Sequence, residues 1–202
     1  MKDYHTHHPH SAGGFLNAVT REDWDRVASA EGMQPCFGVH PWHARTADPA
    51  QIAFELDEYL TRYPQAGVGE TGLDFSPAHR DDAEAQRTLL QVHLGAAFRH
   101  ERMAHLHCVR AHEELLRLLR ERNRCGTLPR FLIHAWNGPH ELAREFLALG
   151  GIFSVGRREL THPRASERYA RIPVGKIFPE TDDHPEDWKT ILALFAVLRF
   201  QA

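Results

Sequence analysis

Six residues of this chain have the types and placing to do metal chemistry: His5, His7, Glu70, His107, His134 and Asp182. Four imidazoles and two carboxylates make a donor set for one or two divalent cations of hard-to-borderline character. His5 and His7 stand in His-Thr-His near the start of the chain. Two apart on a strand, they present both rings to one face. Glu70 ends Ala-Gly-Val-Gly-Glu, where the flanking glycines let other groups approach the backbone. His107 ends Met-Ala-His-Leu-His, His134 ends Arg-Phe-Leu-Ile-His, and Asp182 follows Lys-Ile-Phe-Pro-Glu-Thr. Polar residues repeated at the ends of apolar runs suit catalysis better than packing, because an unpaired buried polar group costs free energy.

The elements that must position these residues read as eight strand-like runs, at 3–6, 14–19, 34–39, 66–70, 103–109, 130–134, 151–155 and 176–180. Helix-like stretches lie between most of them. The stretch 51–63 follows Asp48-Pro49 and stops before Pro64. The stretch 81–102 carries Leu89, Leu90, Leu94, Ala97 and Phe98 at a helical period. In 111–124, Leu115, Leu116, Leu118 and Leu119 fall on one face; 139–149 stops at Gly150-Gly151; 188–200 is broadly apolar. Strands alternating with helices predict a parallel sheet, and eight such units predict a closed (β/α)8 TIM barrel of the α/β class. In such a barrel the C-terminal strand ends converge on one face, where active sites are built. Pro9–Gly13 is too short for a crossover helix, so the expected barrel is distorted, with an incomplete outer helix ring.

The 202 residues suffice for one domain with a substantial core, taken here as 1–202. Apolar content of 42% and charged content of 25% are ordinary for a globular chain. No apolar run approaches the length of about 18 residues that a membrane span needs. No leader opens the sequence, so no membrane association and a cytoplasmic location are expected. Cys36, Cys108 and Cys125 lack any CxxC spacing and read as reduced, small, buried residues. A net charge of −3 argues against strong non-specific nucleic-acid binding, while leaving room for a local phosphate site. Lysine is confined to Lys2, Lys176 and Lys189, so cationic contacts would come mostly from the forked guanidinium of arginine.

Six spaced motifs in order resemble the TatD family, metal-dependent hydrolases of the amidohydrolase superfamily. They are His5-Thr-His7, Gly38-Val-His40-Pro-Trp42, Gly69-Glu70-Thr-Gly-Leu-Asp74, His107-Cys-Val-Arg-Ala111, His134-Ala-Trp-Asn-Gly138 and Glu180-Thr-Asp182. The resemblance implies a two-metal site. His5, His7, Glu70 and Asp182 would hold one ion, and Glu70 would bridge to a second held by His107 and His134. The ions would be Zn, Mn, Mg or Ni. Two cations about 3.5–4 Å apart can clamp the attacking and leaving oxygens of a phosphoryl transfer. Asp182 would orient and deprotonate the attacking water, and His40 would contact substrate near the scissile phosphate. The implied substrate is a phosphodiester of DNA or nucleotides. The chain departs from the family at Val109, where many members carry arginine; Arg110 follows one position later. It is also shorter than most members, which trims loops that would grip a polymer.

Other polar residues sort by position. Asp74 reads as a loop cap or a hydrogen-bond partner to a ligand; Glu180 either orients ligands or binds another rim cation. His8 and His10 read as solvated or rim groups. His93, His100, His105, His112, His140 and His162 read as exposed or hydrogen-bonded structural residues, and His184 could reach the site. Arg117, Arg120, Arg122 and Arg124, interleaved with glutamates, form a solvated helix face. Arg157 and Arg158 follow the seventh strand, so Arg157 is a candidate for binding a phosphate or carboxylate. Trp42 and Trp136 each follow a site histidine by two. Both could stack on a base or sugar, with core packing around the site as the equal alternative, and Trp136 stands with His40 and Arg157 among the expected substrate contacts. The same site suits two further functions: a small-molecule hydrolase of amides, lactones or esters, and a non-enzymatic metal-binding protein.

Overall fold

Among the described residues, eight strands, all parallel, pair with their sequence neighbours in the order β1 to β8. They are β1 (Asp3–Thr6), β2 (Gly14–Asn17), β3 (Gln34–Phe37), β4 (Gly67–Asp74), β5 (Ala104–Val109), β6 (Phe131–Ile133), β7 (Ile152–Val155) and β8 (Ile177–Pro179). The computed structural model describes residues 1–200, and the side chains of residues 1–198. Every expected strand is present, and β4 runs four residues further than expected, to Asp74.

The helices are α1 (Trp24–Ala28), α2 (Pro49–Arg62), α3 (Ala83–Arg99), α4 (His112–Arg124), α5 (His140–Ala148), α6 (Arg157–Leu160), α7 (Ala165–Tyr169) and α8 (Trp188–Phe200). Asp48 caps α2, its carboxylate accepting from the Ala50 and Gln51 amides at 2.9 and 3.3 Å. In α4, Leu115, Leu116, Leu118 and Leu119 are all buried. Each such leucine stabilises the fold by roughly 1.5–3 kcal/mol relative to exposure. Helices α1, α6 and α7 were not foreseen; five residues or fewer are too short to show a helical period. As expected, residues 7–13, which join β1 to β2, contain no helix, and the outer ring is open there. Cys36 and Cys108 are buried, but Cys125 is exposed at the end of α4, against the expectation for all three. Among the described residues no helix is long and apolar enough to cross a membrane.

The ring of strands closes between β1 and β8 by one parallel bridge, Thr6 to Asp182. The Asp182 amide donates to the His5 carbonyl at 2.9 Å, and the His7 amide donates to the Asp182 carbonyl at 3.0 Å. The buried Asp3 carboxylate completes this seam. One oxygen accepts from the His5 and Thr181 amides, both at 3.1 Å; the other accepts from the Thr181 hydroxyl at 2.6 Å and lies 2.9 Å from His10 Nε2. His10, expected among solvated or rim groups, is thus a seam residue.

Candidate metal centre

Glu70 is fully buried at the middle of the cluster, and its two oxygens face different partners. Oε2 lies 3.3 Å from His5 Nε2 and 2.9 Å from His7 Nε2. Oε1 lies 2.8 Å from His107 Nδ1, 2.9 Å from His134 Nε2 and 3.3 Å from His40 Nε2. Asp182 Oδ1 joins the first group, 3.8 Å from His5 Nε2 and 3.5 Å from His7 Nε2. All six residues singled out by type and spacing therefore meet: His5 and His107 from within β1 and β5, Glu70 from midway along β4, and His7, His134 and Asp182 from just beyond β1, β6 and β8.

Two irregularities in the sheet aim the ligands. Between β1 and β2 the register runs from Asp3 opposite Gly14 to Thr6 opposite Leu16, three steps against two. Between β4 and β5 it runs from Val68 opposite Ala104 to Thr71 opposite Leu106, again three against two. Each shift puts one extra residue on one strand of the pair, and an extra residue of this kind bends a strand and redirects side chains beside active sites. One shifted segment carries His5 and the other Glu70. Backbone approach is as close there as the glycines suggested: a Cβ on Gly69 would come within 2.6 Å of His105 Cβ. Asp182 itself has φ of 55°, a left-handed conformation that costs a non-glycine residue free energy and concentrates at functional sites.

Each imidazole has a partner behind it or a buried free nitrogen. His7 Nδ1 donates to the Asn17 carbonyl at 3.0 Å, which leaves Nε2 unprotonated as an acceptor or ligand in the neutral ring. His107 Nε2 lies 3.5 Å from Asp74 Oδ2, and His134 Nδ1 lies 3.7 Å from Glu180 Oε1. Asp74 also caps its loop through the Ser76 amide at 2.8 Å and accepts from the Trp42 indole at 2.7 Å. Glu180 is fully buried, accepts from the Ala135 amide at 2.8 Å and bonds the Ser154 hydroxyl. That burial fits orientation of His134 and leaves no rim position for a further cation. His40 differs from the other rings. Its Nδ1 accepts from the Trp42 amide at 3.3 Å, so the neutral ring carries its proton on Nε2, aimed at Glu70.

The charge balance calls for cations beside Glu70. Burial opposes its ionisation, yet the imidazoles of His134, His40 and His5 and a hydrogen bond from His107 hold it well below the usual carboxylate range. Burial likewise opposes charge on His7, but Glu70 and Asp182 outweigh it and push the ring up to about 9. His107 and His134 are also raised, against burial, by Asp74, Glu180 and Glu70. His5, dominated by burial, is held well below its ordinary value. Burial pushes Glu180 up to about 7, opposed by His134.

This donor set fits metal ions. Glu70 Oε2 is buried without a hydrogen-bond partner, although His5 Nε2 and His7 Nε2 stand within 3.3 Å of it, and His107 Nδ1 and His134 Nε2 stand within 2.9 Å of Oε1. Ring nitrogens crowded this closely onto a buried carboxylate are accommodated when cations sit among them. Buried or part-buried triads able to hold an ion include His5, His7 and Glu70; His40, Glu70 and His107; and His5, His134 and Asp182.

Several expectations need correction. Trp136 is 1% exposed, with its ring packed against Phe153 and Phe146 and its carbonyl accepting from Tyr169; it belongs to the core and does not reach substrate. Arg157 opens α6 after β7 as expected, but its guanidinium is held by Asp187 at 2.9 and 3.0 Å. His184 is exposed and lies 3.3 Å from Glu186, away from the ligand cluster. His105, read as exposed or hydrogen-bonded, is fully buried with neither ring nitrogen partnered. The register shifts had no signal in the sequence beyond the glycines around Glu70.

Residues 15–190 match the family described as TatD related DNase. The chain belongs to this family. It is 33% identical over 180 residues to an uncharacterized metal-dependent hydrolase of Escherichia coli, YjjV, covering 83% of this chain and 66% of that protein. It is 30% identical over 176 residues to the 3'-5' ssDNA/RNA exonuclease TatD of Cronobacter turicensis, covering 83% and 65%. With the human deoxyribonuclease TATDN3 it shares 28% over 160 residues, 73% and 56% of the two chains. The chain thus spans about half to two thirds of the length of these relatives. Its structure matches the crystal structure of Escherichia coli YjjV with a TM-score of 0.80 at 26% identity, over 92% of this chain and 78% of that one. A TatD family hydrolase of Entamoeba histolytica shares the fold, with a TM-score of 0.69 at 16% identity, over 84% and 60%.

Proposed function

We propose that this TatD family chain hydrolyses phosphodiesters of DNA or nucleotides with two divalent metal ions. The observation that carries this reading is the division of Glu70: one oxygen faces His5 and His7, which have Asp182 beside them, and the other faces His107 and His134. One carboxylate would then serve two ions. The metal pair, when bound, supplies Lewis acidity to a phosphoryl oxygen and lowers the pKa of a water. The protein's own groups do the rest. Glu70 would anchor both ions, with His5, His7 and Asp182 as ligands on one side and His107 and His134 on the other. The Asp182 side chain is 39% exposed, against 1% for Glu70, so Asp182 is the carboxylate that can meet an incoming water and take its proton. His40, neutral because burial lowers its pKa, offers its Nε2 proton to a substrate oxygen or to Glu70. Arg157 would reach a phosphate only by exchanging Asp187 for it.

That last point favours a second reading. With Arg157 engaged and Val109 where many TatD proteins carry arginine, cationic grip on a phosphate is weak, and a small ester, amide or lactone would suit the same centre. One set of measurements separates the two. Elemental analysis of unchelated protein is expected to give about two metal equivalents, falling sharply in Glu70→Ala. A chromogenic phosphodiester with Mn²⁺, Mg²⁺ or Zn²⁺ is expected to be cleaved, and Glu70→Ala and Asp182→Ala are expected to abolish cleavage. Wild-type turnover in both variants would refute the assignment. Two bound metals without phosphodiester cleavage would move the second reading to the front.

A further inference from the structure

Trp42 is 51% exposed, while its neighbours in the same turn region, His40 and Pro41, are buried. Leaving an indole in water forgoes burial free energy, and this one is held in place at both ends. Its Nε1 donates to Asp74 Oδ2 at 2.7 Å, and Asp74 lies 3.5 Å from His107. Its ring stacks on His79 with centroids 5.0 Å apart and planes 15° from parallel. The same ring centroid is 4.6 Å from that of His40 and 6.4 Å from that of His107. A fixed, half-exposed aromatic pair therefore stands one ring's distance from the Oε1 side of the metal centre.

We infer that Trp42, backed by His79, is the platform on which the nucleobase next to the scissile phosphate stacks; this rests on the phosphodiesterase reading above. A base is joined to its phosphate by a single sugar, which spans a gap of the kind that separates Trp42 from His107. Stacking on an aromatic ring tolerates any base, since every base has a π-face. Arg45 and Arg80, on the two segments that carry Trp42 and His79, pair with Asp82 and Asp81 at 3.6 and 3.9 Å, so recognition on this rim rests on the stack and not on a phosphate clamp. The platform sits on the His107 side, so the base lies on that side and the water-facing Asp182 on the other. Trp136, in the equivalent place after His134, is buried and cannot do this.

The test compares two esters with one leaving group: the p-nitrophenyl ester of thymidine 5'-monophosphate, and methyl p-nitrophenyl phosphate, which has no base. The platform predicts that wild type prefers the nucleoside ester in kcat/KM. Trp42→Ala should cut that preference ratio about tenfold, mainly through KM, as loss of one base stack does. Trp42→Phe, which keeps a ring and loses the indole donor, should retain most of it. An unchanged ratio in Trp42→Ala, or equal loss in Trp42→Phe, would overturn the platform. Tryptophan fluorescence supplies a readout independent of turnover. Thymidine 5'-monophosphate should quench wild type but not Trp42→Phe, and inorganic phosphate should quench neither. If wild type cleaves neither ester, the phosphodiesterase reading fails, and the quench then decides the platform alone: base-dependent quench sustains it, and its absence overturns it.

Discussion

On the Oε1 side of Glu70, the rings of His107 and His134 each have a carboxylate behind them, Asp74 and Glu180. On the Oε2 side, His7 leans on the Asn17 carbonyl, His5 Nδ1 has no hydrogen-bond partner, and Asp182 is 39% exposed in a left-handed conformation. A carboxylate behind a ligating imidazole fixes the ring and raises its basicity. On the Oε1 side those carboxylates stand 3.5 and 3.7 Å away, without a hydrogen bond to either ring, and bias the rings by charge. The Oε2 side is the one open to water, and its exposed carboxylate can move between ligand and proton acceptor. On the two-ion reading proposed above, the difference would give retention of an ion to one side and access for the nucleophile to the other.

The sharpest way to break this comparison, after loss of the shared Glu70, is to remove a backing carboxylate. Glu180→Gln is expected to weaken one metal equivalent about 10–100-fold and to spare the other, as read by chelator competition. Equal weakening of both would mean that the two sides are not separate. A second test uses protons. His7 has a pKa raised to about 9, so at neutral pH the metal-free ring is protonated and must lose that proton to ligate. Metal affinity is then expected to rise as pH climbs towards 9, by up to about tenfold per unit for each proton released. Titration calorimetry in buffers of different ionisation heat counts those protons. His5, held neutral by burial, should release none. The smallest effect is expected from Asp3→Asn, which keeps one acceptor oxygen for the seam but loses the charge facing His10. A loss of about 1–3 kcal/mol in urea unfolding is expected, with both metal equivalents retained.

Most of the barrel was legible because parallel strands buried on both faces leave continuous apolar runs, and because Asp48-Pro49 and Gly150 punctuate helices. The ligands were legible for a related reason: a polar residue that ends such a run has no other account. What escaped the sequence depends on contacts between distant segments. Burial of Trp136 follows from Phe146 and Phe153, which its own neighbours do not announce. Exposure of Trp42 follows from Asp74 and His79 holding the ring at the rim. His10 turned inward because Asp3 offers it a buried carboxylate. The shifts at His5 and Glu70 are register differences between two strands, which one strand's sequence does not encode.

The seam between β1 and β8 carries a consequence for folding. Its backbone hydrogen bonds run through His5, His7 and Asp182, the same residues whose side chains face the Oε2 side of the centre. Parting the first strand from the last therefore also disperses that side's ligands, and gathering the ligands closes the ring. Whatever binds the closed form and not the open one favours closure, by about 2.7 kcal/mol at a hundred times its dissociation constant. On the proposed reading, an ion held by His5 and His7 of β1 and by Asp182 beyond β8 would act as a clasp, favouring the closed circle of strands over the open one.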